Sequence, residues 1–93
     1  MIQTFSDKAT AAIFAGRCVT RYPRPIQRAA LRKLLMIDAA TCVEDLLAPP
    51  GNRLEALRGK AVDLWSIRVN LQWRVCFLFQ KGDAYDVGIV DYH

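Results

Sequence analysis

The sequence predicts an α+β domain in which a short opening strand and two helices pack on one face of an antiparallel sheet. Three observations carry that expectation. Ile26, Ala30, Leu34 and Ile37 recur at helical spacing, whereas Leu64 to His93 alternates with the two-residue period of strands. Between the two patterns Pro49-Pro50-Gly51 breaks the chain. That break is too short to link domains, so residues 1–93 are expected to form one domain with a corner in it.

Taken in order, Ile2, Thr4 and Phe5 make a β-prone opening. Ser6 or Asp7 then offers an N-cap for a helix through Ala9, Ala12, Ile13 and Phe14, and Gly16 can end it. Arg17 to Pro25 reads as a loop, with Pro25 suited to the first turn of the second helix. There the stripe of Ile26, Ala30, Leu34 and Ile37 is widened by Leu31 and Leu35. Arg24, Arg28 and Arg32 stack on the opposite side at intervals of four. Two readings of that side stand: a solvated face, or a surface for RNA phosphates or an acidic partner. The helix is expected to end near Asp38 to Thr41, with an extra helical turn over Cys42 to Leu47.

The strand half starts with a short pattern from Arg53 to Leu57, followed by the polar Arg58-Gly59-Lys60. Trp65, Ile67 and Val69 then point one way, Ser66 and Arg68 the other. After a turn at Asn70-Leu71-Gln72, Trp73, Val75, Phe77 and Phe79 share a face, with Arg74, Cys76 and Leu78 opposite. Lys81-Gly82-Asp83 signals a hairpin. The last strand is expected to carry Tyr85, Val87 and Ile89 on one face and Ala84, Gly88, Val90 and Tyr92 on the other. Register follows from the buried face, which places Trp65, Trp73, Phe77, Val87 and Ile89 under the helices and leaves Arg68, Arg74 and Tyr92 on the uncovered face.

Composition narrows the class. The 93 residues are 53% hydrophobic and 24% charged, with a net charge of +4. This is a globular balance with a basic lean that favours a polyanionic partner without requiring one. Cys18, Cys42 and Cys76 are odd in number and widely spaced, which argues against a disulfide framework or a zinc site and for a reducing cytoplasm. No signal-peptide pattern opens the sequence and no apolar run reaches membrane-spanning length, so no membrane association is expected. The only histidine is the last residue, His93.

Four stretches in order carry a resemblance: Asn52-Arg53-Leu54-Glu55-Ala56-Leu57-Arg58-Gly59, Trp65-Ser66-Ile67-Arg68-Val69-Asn70, Gln72-Trp73-Arg74-Val75-Cys76-Phe77 and Asp91-Tyr92-His93. Over nearly the whole chain the sequence resembles the HigB toxins, the plasmid-maintenance killer group of the RelE/ParE superfamily. The resemblance implies a small RelE/ParE-like fold and a type II toxin that cuts messenger RNA in the 30S ribosomal A site. It also implies a HigA-like helix-turn-helix antitoxin, with operator DNA reached indirectly through that antitoxin. No metal or other cofactor is implied: the ribose 2′-OH attacks the adjacent phosphate, leaving a cyclic phosphate and a 5′-OH.

The residues meet what that reaction requires. His93 is the natural acid or base, and Arg74 suits the charge that builds on the phosphorane oxygens. Tyr92 is expected to stack on a base or help position the phosphate, Asp91 to orient His93 or pair with an arginine, and Arg58 to grip the backbone or the transition state. Lys60, Arg68 and Arg53 are the expected RNA contacts. In some relatives a histidine stands at the position of Glu55 and a lysine at that of Arg58, so this chain departs from the pattern there. The alternative on the same fold is a ParE-like toxin that binds DNA gyrase and cuts no RNA.

Overall fold

In the computed structural model, which describes residues 1–57 and 63–91, two helices cover one face of a four-stranded antiparallel sheet. Helix α1 runs from Lys8 to Phe14 and α2 from Arg24 to Ala39. Two 3-10 turns, Val43–Leu47 and Pro50–Asn52, lead into strands β1 (Glu55–Ala56), β2 (Leu64–Arg68), β3 (Trp73–Gln80) and β4 (Asp83–Asp91). The strands lie in the order β1-β2-β3-β4.

Each element has a local cause. Asp7 caps α1, its carboxylate accepting from Thr10 N at 2.6 Å and Thr10 Oγ1 at 2.9 Å. The helix closes with bonds from Gly16 N to Ile13 O and Arg17 N to Ala12 O, with Gly16 at φ 86°. Pro25 sits in the first turn of α2, where its missing N–H leaves no bond unmade. Ile26, Ala30, Leu34 and Ile37 are all buried, so the helical stripe does face the core. Leu35 does not widen it: 51% exposed, it projects into solvent. Lys81 and Gly82 turn the hairpin between β3 and β4 at φ 51° and 83°, the left-handed pair that a tight primed turn requires.

The core between the layers is built from Ile13, Leu34, Ile37, Ile67, Val75, Phe77, Val87 and their neighbours. Trp65 and Trp73 are half-buried and pack against this cluster rather than lying within it. The opening residues contribute two isolated bridges, Ile2 to Ala84 and Phe5 to Val87, which run parallel to β4 along its outer edge.

The expected faces of β4 need one correction. Ala84 is fully buried on the core side, opposite Phe79, while Tyr85 pairs with Leu78 on the other face. The alternation resets because the register shifts between Cys76 and Leu78, with Asp86 in the left-handed region at φ 53°. That irregularity returns Val87 and Ile89 to the core.

Candidate functional site

On the sheet face away from the helices, β2 and β3 bring Ser66 opposite Cys76 and Arg68 opposite Arg74. Glu55 of β1 pairs with Ser66, which adds a carboxylate to the same face. Arg53, Glu55, Arg68, Asn70, Leu71 and Arg74 line a cleft of about 280 Å³ there.

Arg74 is the fixed point of this cleft. It was expected as an open-face cation, and it does lie on the uncovered face, but it is only 5% exposed. The cause is a clamp. Arg74 Nε donates to Ser66 Oγ at 2.8 Å, and Nη2 donates to the carbonyls of Arg53 at 2.6 Å and Ser66 at 3.2 Å. Its Nη1 stands 3.5 Å from Glu55 Oε1, whose side chain is half exposed. A buried guanidinium held on three sides keeps its orientation, which a mobile lysine would not.

The walls are fixed as well. Arg68 Nε donates to Asn70 O at 3.1 Å, and Asn70 Oδ1 accepts from Gln72 N at 2.9 Å and Trp73 N at 2.8 Å. Arg53 takes the left-handed conformation at φ 44°, ending the second 3-10 turn and presenting its carbonyl to Arg74. Asn52, with no exposed surface, ties that turn down. Its Nδ2 donates to Leu46 O at 3.2 Å and Ala48 O at 3.4 Å, and its Oδ1 accepts from Lys33 Nζ at 2.6 Å. Asn52→Ala is therefore expected to cost about 1–3 kcal/mol by stranding buried carbonyls. A urea titration with unchanged slope would measure it.

Burial pushes the Cys76 thiol up against the opposing pull of the Arg74 charge, so the sulfur beside the cleft stays protonated near neutral pH. A cysteine nucleophile is thus a poor fit to this site. Among the described residues no group of three or more His, Cys, Asp or Glu side chains is placed to hold a metal ion, and no helix is long and apolar enough to cross a membrane.

Comparison with known proteins decides the family. A model described as the RelE-like toxin of the type II toxin-antitoxin system HigB matches residues 3–93. The chain belongs to the HigB-like toxin family. Toxin HigB-1 of Vibrio cholerae serotype O1 is 47% identical over 62 residues, which cover 67% of this chain and 65% of that protein, just under two thirds of its length. An uncharacterised protein of Haemophilus influenzae is 36% identical over 69 residues, 74% of this chain and 68% of its own. Endoribonuclease HigB of Proteus vulgaris is 33% identical over 97 residues, covering all of both chains. Membership of a type II toxin-antitoxin family implies an antitoxin as partner.

Of the residues expected to serve this HigB-like toxin, Arg53, Arg68 and Arg74 meet at the cleft. Asp91 pairs with Trp73, which puts it on the helix-side face of the sheet, where it accepts from Gln72 Nε2 at 3.2 Å. Arg58, Lys60, Tyr92 and His93 lie outside the described residues. Sequence reasoning missed Ser66 and the Arg53 carbonyl as the clamp on Arg74. A small hydroxyl residue alternating onto the arginine face of β2 was the available signal for Ser66; a backbone carbonyl leaves none.

Proposed function

We propose that this HigB-like toxin is an endoribonuclease that cuts messenger RNA in the ribosomal A site and is silenced by a HigA-like helix-turn-helix antitoxin. The observation that carries the reading is the clamped Arg74 guanidinium on a cleft walled by Arg53 and Arg68. The endoribonuclease named in Proteus vulgaris, aligned over its full length, supports it.

The proposed reaction forms a bond from the 2′ oxygen to phosphorus and breaks the bond from phosphorus to the 5′ oxygen. A base takes the 2′-hydroxyl proton and an acid returns one to the leaving oxygen; His93 fills one of these roles. Arg74 stabilises the negative charge that grows on the equatorial oxygens, with its orientation set before substrate arrives. Arg58 supports the same charge. Tyr92 stacks on a base, Asp91 orients His93, and Arg53, Arg68 and Lys60 hold the phosphate backbone.

Glu55 is the distinctive element. Its carboxylate competes with a phosphate oxygen for the Nη1 edge of Arg74. The Glu55 side chain is half exposed, so Glu55→His is expected to fold, and the change removes a repelling charge while adding an imidazole. Single-turnover cleavage on programmed ribosomes is expected to quicken by about tenfold. Equal rates would show that Glu55 does not restrain the chemistry.

The activity itself is tested by expressing the protein in translating cells and mapping messenger RNA 5′ ends. Cuts within codons, with 5′-OH termini on the fragments, are the expected result. DNA damage with intact messages would assign a gyrase-directed toxin instead.

A further inference from the structure

From Lys8 to Ile37 the chain carries Lys8, Arg17, Arg21, Arg24, Arg28, Arg32 and Lys33 and not one Asp or Glu. These are seven of its 13 basic residues against none of its nine acidic ones, in a protein whose overall charge is only +4. Among the described residues no ion pair neutralises any of the seven. Arg24, Arg28 and Arg32 are exposed at intervals of four on α2, a like-charge spacing that weakens a helix. Within the fold Lys33 Nζ donates to Asn52 Oδ1, Arg21 lies over the Tyr22 ring and Arg24 Nη2 reaches Cys18 Sγ, but none of these contacts neutralises a charge, which an anion from outside would.

The ground between these arginines is concave and more apolar than polar. One cavity of about 520 Å³ is lined by Cys18, Val19, Thr20, Tyr22, Pro23 and Arg24. A second, of about 240 Å³, adjoins it through Cys18 and is lined by Ile13 and Leu31, with Arg17 and Arg28 beside them. The loop between α1 and α2 that shapes both is held in place from below. Gln27, buried, accepts from Val19 N at 3.1 Å and donates to Val19 O at 2.7 Å and Tyr22 O at 2.8 Å. Tyr22 Oη donates to Ile89 O at 3.2 Å, fastening the loop to β4. The surface is therefore formed before any partner arrives, which lowers the ordering cost of docking.

We infer that this face docks an acidic protein segment with aliphatic anchors, its carboxylates on the arginines and its apolar side chains in the two cavities. A nucleic acid suits the face less well. The one aromatic ring here, Tyr22, is 4% exposed and packs edge-on against Trp73 at 5.6 Å, so it offers no platform on which a base can stack. Val19 and Pro23 in one cavity and Ile13 and Leu31 in the other match aliphatic side chains better than they match a phosphate backbone. The face also lies on the helix layer, across the sheet from the Arg74 cleft. The inference holds whether or not the cleft cuts RNA, because it rests on the charge and shape of a separate surface and on the antitoxin that the family implies.

The test uses the full-length toxin with its cognate antitoxin. Charge reversal in the triple variant Arg21→Glu, Arg24→Glu, Arg28→Glu is expected to weaken the complex by about tenfold or more, and the matching glutamine triple by less. Cys18, exposed in the free toxin and shared by both cavities, is expected to react with a maleimide about tenfold more slowly in the complex, as burial at an interface excludes the reagent. Cleavage by the free variants on programmed ribosomes should equal that of the parent, and equal melting temperatures would show that they fold. If the glutamate variant does not fold, the glutamine triple and the Cys18 reaction decide alone. Undiminished antitoxin affinity with Cys18 equally reactive in the complex would overturn the inference. So would a loss of ribosome binding with antitoxin affinity intact, which would assign the face to RNA.

Discussion

Arg74→Ala is expected to lower single-turnover cleavage on programmed ribosomes by about 10²-fold or more, the scale of losing an oriented donor at a developing oxyanion. The same change removes the guanidinium that joins Ser66, the Arg53 carbonyl and Glu55. A stability loss of about 1–3 kcal/mol should accompany it, because Ser66 has no exposed surface from which to reach water. Arg74→Lys separates the two effects: it retains the charge but cannot reproduce three directed bonds from a planar group. Denaturant melts at matched temperature, taken beside the rates, distinguish a missing charge from a slackened cleft. Arg74→Ala cutting at the parental rate would remove this residue from the chemistry.

His93→Ala should abolish most activity by a different route. It is the chain's only imidazole, and general acid-base catalysis is worth about 10²–10⁴-fold. A melting temperature equal to the parent's is the control that separates lost chemistry from lost fold. The parent's rate should bend with pH near neutrality and the variant's should not. If the bend survives the substitution, another group carries the proton.

The helical layer was legible because its signal is local. Ile26, Ala30, Leu34 and Ile37 announce a buried stripe by spacing alone, and all four are buried. Asp7 and Gly16 mark the ends of α1 by their own chemistry. The arginine face of β2 and β3 was legible from alternation, since Arg68 and Arg74 do pair across it. What the residues did not disclose arises from contacts between distant segments. Arg74 is buried by a carbonyl and a carboxylate some twenty positions earlier, which no strand pattern announces. Ala84 and Tyr85 exchanged faces because Asp86 takes a conformation that interrupts the alternation. The register of β4 likewise places Asp91 on Trp73's side of the sheet, which alternation alone left unstated.

The parallel bridges of Ile2 and Phe5 to β4 seal an edge of the sheet with a segment far away in sequence. Contacts of such separation form late in folding, so the opening segment is expected to close over a β3–β4 hairpin that has already assembled.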